Sequence, residues 1–446
     1  MLPIEVLIAQ RVKEIGGTTY YVGGFVRDKI LKKDNKDVDI EVHGIFKEDL
    51  KEILRDFGAP LEYGRNFGIF SLANHNIDIA MPRREINTGL GHCDFDIQID
   101  PFIGTKEAAR RRDFTINSLM QDVLTKKIID PFNGLDDLKN KVIRHIDDSS
   151  FKEDPLRVLR AAQFASRFEF SIDKSTIGLC KTIDITTLSK QRVEEELKKA
   201  LLKSNKPSIF FDELDRMNKL DYWFKEIKEL QGVIQDEKYH KEGDVYTHTM
   251  MVLDEAYKYR DKVSNPYYFM MFCLTHDLGK CDTTFIDGDR IHSYGHEKNL
   301  ERVKTLVKRI SDKNELYKYL NNMIPVHMKP NLLFAQNSSL KATNKMFDEA
   351  NYEADLLYFA FCDHPLKEEK LEESKRYIYL VDRLNYYFKT MSMPYVSGDD
   401  LIDAGINPDD DFKEALNYAH KLRLANVKKE DVLKQTISFI NKRRNK

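Results

Sequence analysis

Residues 37–42 read DVDIEV, with Asp37, Asp39 and Glu41 alternating with Val38, Ile40 and Val42. Alternation of period two is the pattern of a strand with one buried face, and it aims side chains two apart to the same side. Carboxylates placed this way repel one another, and a hard divalent cation removes the repulsion. Asp37 and Asp39 therefore form a candidate cradle for Mg²⁺, which favours few carboxylates together with substrate phosphates. Two such ions can clamp the entering and leaving oxygens of a phosphoryl displacement. Asp78, in NIDIA, alternates in the same way and offers a third carboxylate. Just upstream, VGGFVRD (22–28) sets Gly23 and Gly24 before a helix, where backbone N–H groups can approach phosphate oxygens. Arg27, one turn into that helix, is a candidate triphosphate clamp. A bare DxD is common on the solvated edge of an ordinary sheet. A glycine pair, an arginine and a DxD so close together form a more specific signal.

Two later segments add to this chemistry. RRRDFTINSL (110–119) places Arg111 and Arg112 side by side, suited to bidentate phosphate binding. Taken alone, an arginine run is more often a solvated face. In KEDPLRVLRAAQFASRF (152–168), Asp154, Arg157 and Arg160 recur at about three, so they share one helix face opposite Leu156, Val158, Leu159 and Phe164. A carboxylate accepts from a base's exocyclic amino group, and arginine donates to ring nitrogens or carbonyls. Such a pair can imitate the pairing edge of a base, although in isolation it is an ordinary i,i+3 salt bridge.

A second set of residues lies further on. YHKEGDVYTHTMMVL holds His240 and His248, THDLGK holds the adjacent His276 and Asp277, and RIHSYGHEKN holds His292 and His296. His327 and the pair Asp363-His364 follow. Imidazole with carboxylate suits Mn, Fe, Co, Ni or Zn more than a structural zinc–thiolate site. Neighbours on a helix point about 100° apart, so His276 and Asp277 can serve two metals. His292 and His364 are read as ordinary core or surface histidines.

The elements that must position these groups follow from the pattern. The first ~145 residues mix helices and strands: a helix over 4–15, a strand at 18–22, a helix after the glycine pair, the DVDIEV strand, a helix stopped by Gly58, and a hairpin in GIFSLANHNIDIAM. The polar, glycine-containing stretch 82–110 reads as a mobile loop. In DPFNGLDDL (130–138), Gly134 is expected to supply a special backbone angle. From 153 onward the apolar spacing is helical, broken at SNKPS (204–208), and long helical patterns recur to about 390. MPYVSGDD (393–400) is a hinge into a helical tail whose last twenty residues carry seven basic and two acidic side chains.

The 446 residues suit two to four domains, and 41% apolar content is enough for real cores. Lys and Arg number 71 against 73 Asp and Glu, a balance that neither requires nor excludes nucleic acid. Five scattered cysteines without CxxC fit a reducing compartment. The amino-terminal stretch lacks the basic and apolar blocks of a secretory signal, and no apolar run approaches ~18 residues, so a cytoplasmic protein without a membrane partner is expected. Oligomeric state is not legible.

In order and spacing, VGGFVRD with DVDIEV, RRDFTINSL, DPFNGLDDL, EDPLRVLRAAQFASRF and QRVEEELKKALL closely resemble the class II tRNA nucleotidyltransferase and bacterial poly(A) polymerase superfamily. The resemblance spans about residues 20–203. It implies an α+β chain: a polymerase-β-like head over 1–145, a helical neck over 146–232, an all-α HD domain over 233–390 and a helical tail over 391–446. It implies Asp37 and Asp39, with Asp78, as the catalytic Mg²⁺ site. Gly23, Gly24, Arg27, Arg111, Arg112, Asp113 and Asn117 would bind the nucleotide. Asp154 and Arg157, with Glu153 nearby, would form the template that accepts CTP or ATP, Arg160 would also bind the nucleotide, and the implied reaction adds CMP and AMP to a tRNA 3′ end. Gly68 and Ile69 in YGRNFGIFSL look like the CCA-adding type. Gln163 stands where relatives often have a further arginine, and Gln191 replaces an acid before Arg192. The ordered histidines resemble an HD phosphohydrolase domain, with His248, His276, Asp277 and Asp363 as metal ligands and His296 and His327 as the extra pair of dinuclear versions. Competing readings are a poly(A)-adding polymerase, an HD phosphohydrolase with a nucleotide-sensing head, and a non-catalytic tRNA-binding chaperone.

Overall fold

A computed structural model describes residues 2–35, 37–63, 68–72, 75–87, 95–236, 241, 243–364, 370–406, 408 and 411–444. His240, the tip of the 82–110 stretch with Cys93, and most of YGRNFG lie outside these residues. The chain forms two compact units, one of residues 1–196 with 209–219, the other of 197–208 with 220–446. The division runs through the expected 146–232 neck segment.

The first unit is built on a seven-stranded mixed sheet. Its strands are β1 (Thr18–Val22), β2 (Val38–His43), β3 (Pro60–Tyr63), β4 (Ile69–Leu72), β5 (Ile77–Ala80), β8 (Met120–Asp122) and β9 (Ile128–Ile129), in the order β3-β4-β5-β2-β1-β8-β9. Helices α1 (Ile4–Glu14), α2 (Gly24–Ile30) and α3 (Lys47–Arg55) accompany it. The β2–β5 pair is parallel, and its neighbours are antiparallel. The alternation seen in the sequence is obeyed: Ile40, Val42, Phe70, Leu72, Ile77 and Ile79 are buried. Burying these branched and aromatic side chains fixes the register, because a one-residue slip would turn every apolar group to solvent.

Two sequence expectations fail here. The described residues of the 82–110 stretch are mostly in regular elements and not in a loop: β6 (Arg83–Asn87) pairs antiparallel with β7 (Phe95–Ile99), and α4 (Thr105–Arg110) follows. Its polarity masked the period-two pattern of FDIQI. Gly134 opens α5 (Gly134–Asn140) without a left-handed angle, which belongs instead to Asn133 at φ 58°. Glycine is needed at 134 because a Cβ there would sit 2.2 Å from the Thr115 carbonyl oxygen. That close approach clamps α5 onto the turn after the arginine run.

The unit continues through the parallel pair β10 (Val142–Ile143) and β11 (Ser171–Ile172), α6 (Asp148–Glu153) and α7 (Leu156–Phe168). Asp147 starts α6 by accepting from the Ser150 N–H, a standard cap. Helix α7 buries Leu156, Val158, Leu159 and Phe164, as its spacing predicts.

Among the described residues, the second unit is helical apart from one short antiparallel hairpin, β12 (Phe285–Asp287) and β13 (Arg290–His292). Helix Pro266–Thr275 is apolar on every face and almost wholly buried, so it forms the axis of the core. Helix Val245–Ala256 packs with it and with helix Glu353–Cys362, whose Phe359 ring meets Phe272 at 4.2 Å. The tail has its own cluster of Val396, Leu401, Ile406, Ala415, Val432 and Ile440. No helix among the described residues is long and apolar enough to cross a membrane.

Candidate functional sites

Asp39 lies on β2 directly opposite Asp78 on β5, in parallel register, and Asp37 just precedes the strand, near enough for its charge to act on Asp39. Asp37 and Asp78 are exposed, and Asp39 is half-buried. The Asp37 carboxylate accepts from Asn76 Nδ2 at 2.9 Å. Burial, helped by the neighbouring Asp78 and Asp37 charges, pushes the Asp39 carboxyl up to about 6, against the opposing pull of Arg112. A carboxylate raised this far beside two others is only partly compensated by Arg112. The donor set therefore fits a divalent cation.

Glu41, the third acid of DVDIEV, has another use. It is 1% exposed, contacts His43 Nε2 at 2.8 Å, and lies 3.6 and 3.5 Å from the guanidinium groups of Arg111 and Arg112. Burial alone would raise its carboxyl, but the His43 bond and the two arginines hold it down at about 2. Glu41 thus anchors the arginine run against the strand that carries Asp39. Arg112 also donates to the Asn117 carbonyl at 3.0 Å and approaches Gly23, whose φ of +59° shapes the turn into α2.

The remaining charged residues form one buried relay. Arg160 on α7 donates to Asp113 at 2.8 Å, and Asp113 accepts from Asn117 Nδ2 at 2.8 Å. The Asn117 Oδ1 accepts from Arg27 at 2.5 Å, and Arg27 donates to Asp28 at 2.8 Å. The rings of Phe164 and Phe168 lie against the Arg27 guanidinium. Arg27 is 4% exposed, so it braces the glycine turn and is not the solvent-facing phosphate clamp expected from sequence. Asp113 is charged despite burial: desolvation would raise it, but Arg160 and the Asn117 bond bring it below its usual value.

Asp154 departs from the expected helix face. Pro155 follows it, and the residue before a proline is forced into extended backbone, so Asp154 ends α6 at φ −124° instead of joining α7. Its carboxylate pairs with Arg192 at 2.8 and 3.0 Å, not with Arg157. Arg157 donates to the backbone carbonyls of Ser150 and Arg111. Glu153 is the last residue of α6. Gln163 is buried, and its amide nitrogen has no hydrogen-bond partner.

In the second unit six of the singled-out residues converge. His248, His276 and Asp363 form one cluster and Asp277, His296 and His327 another, each with ligand atoms within 4.8 Å of one another. The Nε2 atoms of His296 and His327 lie 3.3 and 3.8 Å from Asp277 Oδ1, and His276 Nε2 lies 3.2 Å from Asp277 Oδ2. Asp277 thus joins the two clusters. The Nδ1 atoms of His276, His296 and His327 contact the carbonyls of Cys273, Ser293 and Ile324 at 2.9, 2.7 and 2.7 Å. A carbonyl only accepts, so each Nδ1 carries the proton and each Nε2 presents a lone pair inward. His276 Nε2 is buried and makes no satisfactory hydrogen bond. This is the chemistry of a metal site. Burial would raise Asp277, but His276 and Lys280 hold it well below its usual range. Burial lowers His327 to about 4. Sequence reasoning missed Lys280, whose ammonium reaches Asp277 at 2.7 Å; its place three residues after Asp277 in THDLGK was the available signal.

A mixed sheet carrying paired aspartates in register beside a glycine turn, followed by helices, defines the chain as a nucleotidyltransferase-type head with a helical body. Residues 19–144 match the poly A polymerase head domain family. The Multifunctional CCA protein of Mannheimia succiniciproducens is 37% identical over 302 residues, 66% of this chain and 70% of that protein. That of Pseudoalteromonas atlantica is 36% identical over 304 residues, 66% and 72% of the two chains. The chain belongs to the multifunctional CCA protein family. The fold agrees: the Thermotoga maritima CCA-adding enzyme complexed with tRNA superposes with a TM-score of 0.63 at 20% identity, covering 98% of this chain and 95% of that one. A CCA-adding enzyme in complex with ATP gives 0.64 at 20% identity, over 97% and 92%.

Proposed function

We propose that the head adds CMP and AMP to the 3′ end of tRNA, completing CCA from CTP and ATP. The register of Asp39 against Asp78, with Asp37 beside them, carries the reading. Bound there, Mg²⁺ would neutralise triphosphate oxygens and favour ionisation of the attacking 3′ hydroxyl. Asp37 and Asp39 would hold it, Arg111 and Arg112 would face the phosphates from the arm anchored by Glu41, and the glycine turn at Gly23-Gly24 would admit the nucleotide closely. Glu153, Asp154 and Arg157 would present the donor and acceptor pattern that accepts cytosine or adenine. The relatives are named for CCA, and related folds are described in complex with CTP and with ATP. The test is to incubate the protein with tRNA ending at its discriminator base and all four nucleotides. Sequencing should find a fixed CCA end; an A-tail of open length would assign the chain to poly(A) addition instead.

The second unit is proposed to be a metal-dependent phosphohydrolase of the HD type, acting on phosphorylated or 2′,3′-cyclic RNA ends. His248, His276, Asp277, His296, His327 and Asp363 would hold Mn, Ni, Co, Fe or Zn, which would activate water. The inward lone pairs of three histidines favour this reading. Purified protein with Mn²⁺ or Ni²⁺ should hydrolyse a 2′,3′-cyclic nucleotide, and failure with both ions would reduce the unit to a structural role.

A further inference from the structure

His296 and His327, with Asp277 and Asp363, line a cavity of about 490 Å³, a size suited to a small ligand. One wall of that cavity, made by Ile291, His292, Ser293 and Tyr294, belongs to the β12–β13 hairpin and the residues just after it. Three aromatic side chains gather there. The His292 and Tyr294 rings stack at 4.7 Å and 18°, and Phe285 meets them at 5.6 and 5.9 Å. Tyr294 is 71% exposed and Phe285 48%. Stacking one against another accounts for part of their area, but a tyrosine left this open adds little to a core, so packing alone does not explain the group.

The hairpin is tied to the ligand cluster by the chain itself. His296 Nδ1 donates to the Ser293 carbonyl, and Gly295, at φ +77°, turns the backbone between Tyr294 and His296. A hydrogen bond between the Thr284 and Ser293 hydroxyls, at 2.7 Å, closes the base of the hairpin. The open rings therefore stand at a fixed distance from the metal-ligating atoms. Beyond the cluster, the polar lining is the Lys280 ammonium, bonded to Asp277 and Gln235, with the amides of Gln235 and Asn331, Asp236 and His364. The phosphate would be met by the proposed metals, and this polar lining would meet its sugar. A flat π surface beside a phosphate site matches a nucleobase, since every base has a stacking face.

We propose that Tyr294, backed by His292 and Phe285, is the base-stacking platform of the helical site, selecting nucleoside phosphates and RNA terminal nucleotides over baseless phosphate esters. This rests on the phosphohydrolase reading and names its substrate class. Tyr294 is then a specificity-determining residue outside the metal cluster.

Two measurements test it on the full-length protein. The first is nitration of Tyr294, mapped by mass spectrometry, in the presence of adenosine 2′-monophosphate or ribose 5-phosphate. The nucleotide should protect the ring and the sugar phosphate should not; equal protection, or none, overturns the proposal. The second is hydrolysis with Mn²⁺ or Ni²⁺. Tyr294→Ala should lower kcat/KM for adenosine 2′,3′-cyclic phosphate about tenfold, chiefly through KM, and leave ribose 2′,3′-cyclic phosphate unchanged, while Tyr294→Phe should behave as the native protein. A parallel loss on both substrates overturns the platform and leaves the phosphohydrolase standing. Base-dependent protection without any hydrolysis does the reverse.

Discussion

In the head, the groups proposed to meet metal and substrate are open or only half-buried, while the groups that fix them are buried. Asp37 and Asp78 are exposed, yet Glu41, Asp113 and Arg27 behind them are nearly sealed from solvent. In the helical unit the candidate ligands other than the partly exposed Asp363 are themselves buried, and ring hydrogen bonds to carbonyls set the orientation of His276, His296 and His327. The contrast has a physical basis. A site that must admit a triphosphate and an RNA end cannot bury its acids, so rigidity has to come from a layer behind them. A site that opens only onto a small cavity can bury its ligands, and burial then does the positioning. The head should accordingly be sensitive to its struts, and the helical site to its ligands.

The largest expected effect is direct removal of an acid. Asp39→Ala should lower nucleotide addition to tRNA by more than about a thousandfold with unchanged thermal stability, because the proposed metal stabilisation is worth several kcal/mol. Hydrolysis by the helical unit should be unaffected. If the variant still extends tRNA ending at its discriminator base, the proposed head chemistry is wrong. Next comes a strut. Arg160→Ala strands the buried Asp113 carboxylate, and breaking a buried pair costs about 3–5 kcal/mol. Calorimetry should show the head destabilised by that order, with activity falling for CTP and ATP alike. A variant with native stability that loses only one nucleotide would make Arg160 a base contact, as the sequence alone implied.

How much of this was legible beforehand depends on the reach of each interaction. The DVDIEV strand, the apolar face of α7 and the six residues that converge in the helical unit are written in local spacing and residue type. The separate fate of Glu41 is not, because alternation places it beside Asp39 and only the arrival of Arg111 and Arg112, seventy residues on, distinguishes a buried anchor from a metal ligand. Arg27 was misjudged for the same reason: its partner Asn117 is ninety positions away. The division of the histidines into two clusters bridged by Asp277 is also a product of long-range packing. Asp154 is different, since Pro155 announced its extended backbone and was passed over in favour of the i,i+3 count.

A smaller effect probes the ligands of the helical unit. Mn²⁺ or Ni²⁺ at a hundredfold excess over its dissociation constant should stabilise that unit by about 2.7 kcal/mol, as any ligand specific to the folded state does. Hydrogen exchange in helix Pro266–Thr275 should slow accordingly, and His276→Ala should remove the response. Exchange that is indifferent to both ions would mean that the inward lone pairs hold no metal.

The smallest effect separates the two sites by pH. Asp39 is held at about 6, above its ordinary 3.8, so in the metal-free head it carries a proton below pH 6. Mg²⁺ must displace that proton, and its apparent affinity therefore falls as pH drops through 6. Between pH 7 and pH 5 the loss should be about tenfold, since each unit below the group's value costs one factor of ten. Asp277 in the helical unit is held in the opposite direction by His276 and Lys280 and stays ionised across this window. Its contribution to metal binding is then constant, and any decline there must come from protonation of the histidines. Titrating Mg²⁺-dependent addition across this range, with Asp78→Asn as the comparison, measures the crowding directly. Removing one neighbouring charge should move the inflection below 6, and an inflection that does not move would mean that desolvation alone, and not the facing carboxylate, sets the value at Asp39.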